Sequence, residues 1–357
     1  MYLLIWPILL VVFLWAFERF YLRGKRIGKY PVPNDPDSVI SFTRPDGPGP
    51  EHMEVVRTIR QLTTQISINM RGQNLQAART SIDGLSDNRD YVSDFIPANA
   101  GGVPAEWVLA PGADPTRRVL YIHGGGFIMG SPKSHRTITS KFSEVSGCAV
   151  LSIDYRLMPE NRHMDAVIDC REAYRWILVN GPDGPGPIRQ LFISGDSAGA
   201  NLGLSLVAWL RDNGLRAPEA VVALSPLSDM TFSGSSIRDN EATDVMLRPV
   251  LRRLNRIPPF IKSWWVLWTN RMRPASPVAS PLLGDLSRLP PTLVQASEAE
   301  MLLDDARRYV YKACAAGSPA KLQTWADVVH VWQLFEPELP QAVEAWQEIE
   351  KFLKSKP

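Results

Sequence analysis

The residues best suited to chemistry lie in Gly195-Asp196-Ser197-Ala198-Gly199, which follows the apolar run Leu191-Phe192-Ile193 and opens a helical stretch. A serine becomes a nucleophile for acyl transfer when a sharp strand-to-helix turn exposes its hydroxyl, with small residues on both sides to permit the turn. The helix start then aims the backbone N–H of Ala198 at developing negative charge. A bare Gly-x-Ser-x-Gly arises by chance; the strand before it and the helix after it are the context this chemistry needs. A second cluster, His123-Gly124-Gly125-Gly126-Phe127, comes directly after Val119–Ile122. Three successive glycines let backbone N–H groups approach a ligand closely, as an oxyanion hole requires, whereas an ordinary tight turn rarely needs three. His123 itself reads as structural, because a base there would sit on the oxyanion loop.

Both clusters must be carried by strands and helices. From about Arg118 the chain repeats strand, turn and helix. Short runs rich in Val and Ile suit buried parallel strands: Val119–Ile122, Ala149–Ile153, Leu191–Ser194, Val221–Leu224 and Leu293–Gln295. Longer helical stretches such as Asp165–Val179 and Ala198–Asn213 lie between them. This alternation predicts an α/β fold with a mostly parallel central sheet flanked by helices. Tyr30 to Pro50 reads as a linker, and 51–85 carries helix-like spacing of Val55, Ile59, Leu62, Ile66 and Ile68. Residues 231–277 break the rhythm. Their Trp264, Trp265 and Trp268 fit either an acyl-pocket wall or the core of a cap.

A serine of this kind needs a base and an acid to orient it. On such scaffolds the chain order is nucleophile, acid, histidine. Of His52, His123, His135, His163 and His330, only His330 follows Ser197. The acid should come from the loop after Leu293–Ala296, where Glu298, Glu300, Asp304 and Asp305 compete. Position relative to the strand favours Glu298 or Glu300; Asp304 and Asp305 fall in the next helix.

With these residues in place, Arg118 to Trp332 resembles the hormone-sensitive-lipase-like family of α/β-hydrolases. The resemblance rests on the HGGGF and GDSAG segments, on Asp154-Tyr155-Arg156-Leu157-Met158-Pro159-Glu160, and on Ser225-Pro226-Leu227-Ser228-Asp229 and Ser280-Pro281-Leu282-Leu283. It implies an α/β-hydrolase fold with a helical cap built from residues 30–100 and 231–277. It also implies a Ser197, Glu300, His330 triad with oxyanion donors from Gly124, Gly125 and Ala198. Glu300 falls where the family carries Asp, with Met301 in place of Pro, so Asp304 remains the competing acid.

Composition narrows the classes. A net charge of +2 with no long basic, aromatic-interleaved run argues against nucleic-acid binding. Cys148, Cys170 and Cys314 are few and far apart, and neither a disulfide framework nor a metal site is expected. The mechanism implied needs no cofactor. Met1 to Phe17 carries no charged side chain, and Arg19, Arg23, Lys25, Arg26 and Lys29 follow. That pattern predicts residues 1–29 as a membrane-anchoring helix with the catalytic part on the cytoplasmic side; a membrane-anchored, arylacetamide-deacetylase-like member of the family sets a precedent. Residues 101–357 are then the catalytic domain. The expected function is serine-dependent hydrolysis of short- to medium-chain or lipophilic carboxylic esters near a membrane. Open beside it are a phospholipase or arylamide deacetylase on the same triad, a ligand-binding receptor on a hydrolase scaffold, and assembly as a homodimer.

Overall fold

Strands buried on both faces need apolar side chains throughout, and the centre of the sheet meets that demand. The computed structural model describes residues 2–24, 27–87 and 89–356. The N-terminal third holds α1 (Tyr2–Ala16), β1 (Val39–Phe42), α2 (Pro50–Arg71), α3 (Leu75–Asp83), β2 (Asp94–Ala100), β3 (Val103–Leu109) and β4 (Asp114–Ile122). Then come α4 (Arg136–Ser146), β5 (Cys148–Ile153), α5 (His163–Ile177), a small ladder of β6 (Asn180–Gly181) and β7 (Gly184–Pro185), β8 (Gln190–Asp196), α6 (Ser197–Asp212) and β9 (Ala220–Leu224). The remainder is α7 (Ser236–Asp239), α8 (Arg248–Arg256), α9 (Pro259–Asn270), β10 (Thr292–Ser297), α10 (Leu303–Ala315), β11 (Ala320–Trp325) and α11 (Pro340–Lys354).

Nine strands form one sheet in the order β1-β11-β10-β9-β8-β4-β5-β3-β2. The seven from β1 to β5 in that order run parallel, and β3 and β2 are antiparallel additions at one edge. This is the mostly parallel, helix-flanked sheet expected from the alternation of apolar runs, and it agrees with the α/β-hydrolase fold that the family resemblance implies. Every residue of β5, β9 and β10 is buried. On one face α5, α6 and α10 pack through Val167, Leu202, Leu206, Tyr309 and Val310. On the other, α4 and α11 pack through Ile138, Phe142, Trp346 and Ile349. Within the stretch expected to be a linker, Val39–Phe42 joins β11 as the outermost strand. The hairpin β2–β3 turns on Gly101 and Gly102, both at positive φ.

The N-terminus corrects the sequence reading. No helix among the described residues is long and apolar enough to cross a membrane. The 15 residues of α1 rise about 22 Å, short of the roughly 30 Å hydrocarbon layer. After Ala16 the backbone widens into π-helical turns over Phe17–Leu22 that turn into the protein. There Glu18 is fully buried, paired with Arg23 at 2.6 Å and accepting from Ser263 Oγ at 2.8 Å. Phe17 stacks on Trp264 at 5.6 Å, and Leu22 is buried. The segment is therefore docked on α9. The expected membrane location falls with the span, and so does the cytoplasmic orientation, which had been argued from the basic residues flanking it. Lys25 and Arg26 lie outside the described residues. Of the other tryptophans of α9, Trp265 and Trp268 are exposed, so neither of those two lines a closed pocket.

Candidate active site

Parallel strands ending side by side bring the loops at their carboxyl ends to one rim. The C-terminal ends of β4, β8, β9, β10 and β11 carry, in turn, the glycine loop, Ser197, Ser225, Glu300 and His330. Five segments distant in the chain thus meet because their strands are neighbours.

Ser197 is the first residue of α6, directly after β8, at φ +51°, a left-handed backbone unusual for a serine and characteristic of a strained turn held by its surroundings. The flanking glycines are dictated by contact. A Cβ at Gly195 would meet Ile122 O at 2.5 Å, and one at Gly199 would meet Ile122 O at 2.0 Å and His123 O at 2.4 Å. The small residues of the motif let α6 start directly against the end of β4. Ser197 is half-buried, while Ala198, next in the helix, is fully buried.

His330 lies in the loop after β11, with Asp327 and Val331 at positive φ on either side. Its Nδ1 is 2.8 Å from Glu300 Oε2, and both side chains are buried. A carboxylate there requires Nδ1 to carry hydrogen, so Nε2 is the acceptor in the neutral ring. Nε2 is buried and, among the described residues, has no protein partner. Burial would lower the ring's pKa, but the carboxylates of Glu300, Asp244 and Asp196 together hold it above the ordinary histidine value. Burial pushes the Glu300 carboxyl up, and the His330 ring and the Ser225 hydroxyl offset part of that rise. Ser225 Oγ also accepts from Val331 N–H at 3.1 Å, tying the His330 loop to the end of β9.

The three other carboxylates considered for the acid are engaged elsewhere. Glu298 accepts from Thr324 Oγ1 at 2.8 Å. Asp304 Oδ2 accepts from the backbone of Ser235 and Ser236 at 2.7 and 3.1 Å. Asp305 accepts from the backbone of Ser228 and Asp229, both at 2.8 Å. Asp244 was not a sequence candidate, yet it organises the acid loop, accepting from Met301 N–H at 2.8 Å and from Met246 and Leu247 at 3.0 and 2.8 Å. Its place in the irregular stretch between α7 and α8 gave no periodic signal.

The glycine loop requires a correction. Gly124, expected to donate to an oxyanion, gives its N–H to Asp196 Oδ1 at 2.9 Å. Among the described residues the amides of Gly125 and Gly126 donate to no protein group; both residues have positive φ, +108° and +65°. His123 stacks on Tyr155 at 4.3 Å, its Nδ1 lies 2.8 Å from Gly124 O, and burial drives its pKa down to about 3. It is a neutral structural residue of the loop.

Comparison with known proteins adds four findings. A family described by the alpha/beta hydrolase fold matches residues 119–334. An acetyl-hydrolase of Streptomyces hygroscopicus is 37% identical over 257 residues, covering 71% of this chain and 81% of that protein. A carboxylesterase/phospholipase of Mycobacterium tuberculosis, LipF, is 34% identical over 262 residues, covering 72% and 68%. Among solved structures, an esterase from the bacterial hormone-sensitive lipase family superposes with a TM-score of 0.76 at 36% identity, covering 87% of this chain and 99% of that one.

Proposed function

Since the chain belongs to the α/β-hydrolase family, in its hormone-sensitive-lipase branch, and is a carboxylesterase- or lipase-type hydrolase, we propose that it cleaves esters through an acyl-enzyme on Ser197. The observation that carries this reading is the buried His330–Glu300 contact at the rim where the Ser197 turn also ends. Ser197 attacks the ester carbonyl while His330 Nε2 takes its proton, and Glu300 holds the tautomer and stabilises the imidazolium. The amides of Gly125, Gly126 and Ala198 receive the oxyanion; the bond to Asp196 moves the donor set one residue along from Gly124. His330 then protonates the leaving alcohol, and water attacks the acyl-enzyme through the same base.

The acyl group we assign is short to medium. The acetyl group in the name of the Streptomyces relative supports its short end. The phospholipase activity in the name of LipF keeps a phospholipid ester as the second reading. Hydrolysis of p-nitrophenyl esters of increasing acyl length, beside release of fatty acid from a phosphatidylcholine, separates the two.

The decisive test is covalent labelling by a fluorophosphonate with peptide mapping. Wild type should label at Ser197, and both Ser197→Ala and His330→Ala should lose the label. Ser197→Ala should lower kcat by on the order of 10⁴- to 10⁶-fold without changing the circular dichroism spectrum. A folded Ser197→Ala protein with near-normal turnover would remove the assignment.

A further inference from the structure

Beneath the serine turn lies a second histidine–carboxylate pair that the mechanism above does not use. We propose that the His135 imidazolium and the Asp196 carboxylate form a buried positioning pair that clamps the oxyanion loop onto the nucleophile turn. This rests on the serine-hydrolase reading of the site.

One oxygen holds the assembly together. Asp196 Oδ1 accepts from Tyr121 OH at 2.6 Å on β4, from Gly124 N–H at 2.9 Å on the glycine loop, and lies 3.3 Å from His135 Nε2. Asp196 immediately precedes Ser197, so the carboxylate ties the turn that aims the nucleophile to the loop that presents Gly125 and Gly126. The first glycine of the triplet is required by this contact, because a Cβ at Gly124 would lie 2.0 Å from Asp196 Oδ2. Its role is to admit the carboxylate, which leaves the next two glycines to face a ligand.

The hydrogens around His135 fix its charge. The Ser134 hydroxyl has Ser131 O within 2.9 Å to donate to, which leaves its oxygen free to accept from His135 Nδ1, 2.8 Å away. Ser131 O, a second acceptor, lies 3.3 Å from the same nitrogen. Nδ1 therefore carries a proton, and Nε2 carries another because it faces a carboxylate. The ring is buried, 5% exposed, beside Asp196 at 3%. The groups that face it are Asp196, the neutral His123 at 5.5 Å, Tyr121 at 6.2 Å, and Asp83, which accepts from Ser131 Oγ at 2.5 Å. One cation thus sits among two carboxylates, and its pKa is held above the ordinary histidine value although burial opposes that. Helix capping does not explain the residue. His135 is the N-cap of α4 but makes no capping bond, and a cation at a helix N-terminus opposes the dipole.

The clamp acts only while His135 is charged. Its folded pKa is raised, so the pair is intact at low pH and is lost as pH rises through that value. Activity should then fall on the alkaline side for a reason separate from His330, which must be neutral to act and so sets the acid side. The experiment is kcat and KM on p-nitrophenyl butyrate from about pH 5 to about pH 10 for wild type, His135→Gln, Asp196→Asn and Ser197→Ala, with near-ultraviolet circular dichroism on each. His135→Gln and Asp196→Asn should each lose about 10- to 100-fold in kcat, the scale of a small misplacement of catalytic groups. KM should stay within about twofold, the alkaline limb should disappear, and the acid limb should remain. A merely structural role would lower stability and leave the alkaline limb in place. A folded His135→Gln protein with wild-type kcat and an unchanged alkaline limb would overturn the clamp. If that variant does not fold, Asp196→Asn keeps the size and the acceptor, and wild-type kcat there overturns it equally. Turnover surviving in Ser197→Ala would instead defeat the hydrolase reading and leave the pair without a reaction to serve.

Discussion

At the scale of single residues, Glu300 and Asp244 act on the same histidine in separable ways. Glu300 touches it, at 2.8 Å from Nδ1, and so chooses the tautomer. Glu300→Gln places an amide there that can donate as well as accept, which permits Nε2–H and removes the base; kcat should fall by about 10⁴-fold while the fold is kept. Asp244 acts through charge and through its three backbone N–H bonds. Its carboxylate helps hold the His330 pKa up. Removing that charge in Asp244→Asn lowers the pKa, so the acid limb of kcat/KM should move to lower pH while kcat on its plateau changes little. A shift to higher pH, or none, would show that Asp244 does not act on His330 electrostatically. The glutamate–histidine pairing was legible from chain order and the family segment; Asp244 was not, because its effect depends on the irregular stretch between α7 and α8 folding back onto the loop after β10.

At the scale of elements, the strand-to-helix turn depends on α6 lying against the end of β4. Gly199→Ala would place a methyl 2.0 Å from Ile122 O, so the helix must retreat from the strand that also carries the oxyanion loop. Overpacking of this kind costs about 1–3 kcal/mol, and it should slow fluorophosphonate labelling along with lowering Tm. A variant that loses stability but labels at the wild-type rate would mean that the turn tolerates displacement. The same elements show which parts of the fold a sequence displays. The central strands are legible because burial on both faces writes them as continuous apolar runs. Strand β11 is veiled because Gln323 and Thr324, one on each face of the sheet, are buried yet polar, bonded to Gln295, Glu348 and Glu298. Strand β2 carries Pro97 and is mostly exposed at the sheet edge, where proline is tolerated. Helix α1 misleads in the opposite direction. Its composition matches a spanning segment, but its length and the buried Glu18 that follows are facts of geometry that composition does not contain.

At the scale of the whole molecule, pH acts on stability as well as on catalysis, through a histidine with no catalytic role. His163 opens α5 fully buried, with its ring 4.5 Å from Phe127 of the glycine loop and, among the described residues, neither ring nitrogen bonded to a protein group. Burial lowers its pKa from 6.5 to about 4. A depressed folded value means that the unfolded chain takes up the proton first. The stabilising effect of the neutral ring is therefore complete above pH 6.5 and is lost as pH falls through that range toward 4. A drop from 6.5 to about 4 corresponds to about 3 kcal/mol, most of it gone by pH 4.5. His123, held at about 3 by the same cause, adds to the slope in the same direction. Opposing them, His135 and His330 have raised values and favour the folded state on the acid side, so the protein should weaken gradually below neutrality rather than collapse. Urea unfolding at pH 7 and pH 4.5 checks this. His163→Leu, which replaces the ring by an apolar side chain, should remove about 2–3 kcal/mol of the difference between the two conditions and bring the glycine loop with it, so that activity lost on incubation at pH 4.5 is retained for longer. An unchanged difference in the variant would mean that His163 is already protonated in the folded protein, or solvated, and that the acid sensitivity has another source.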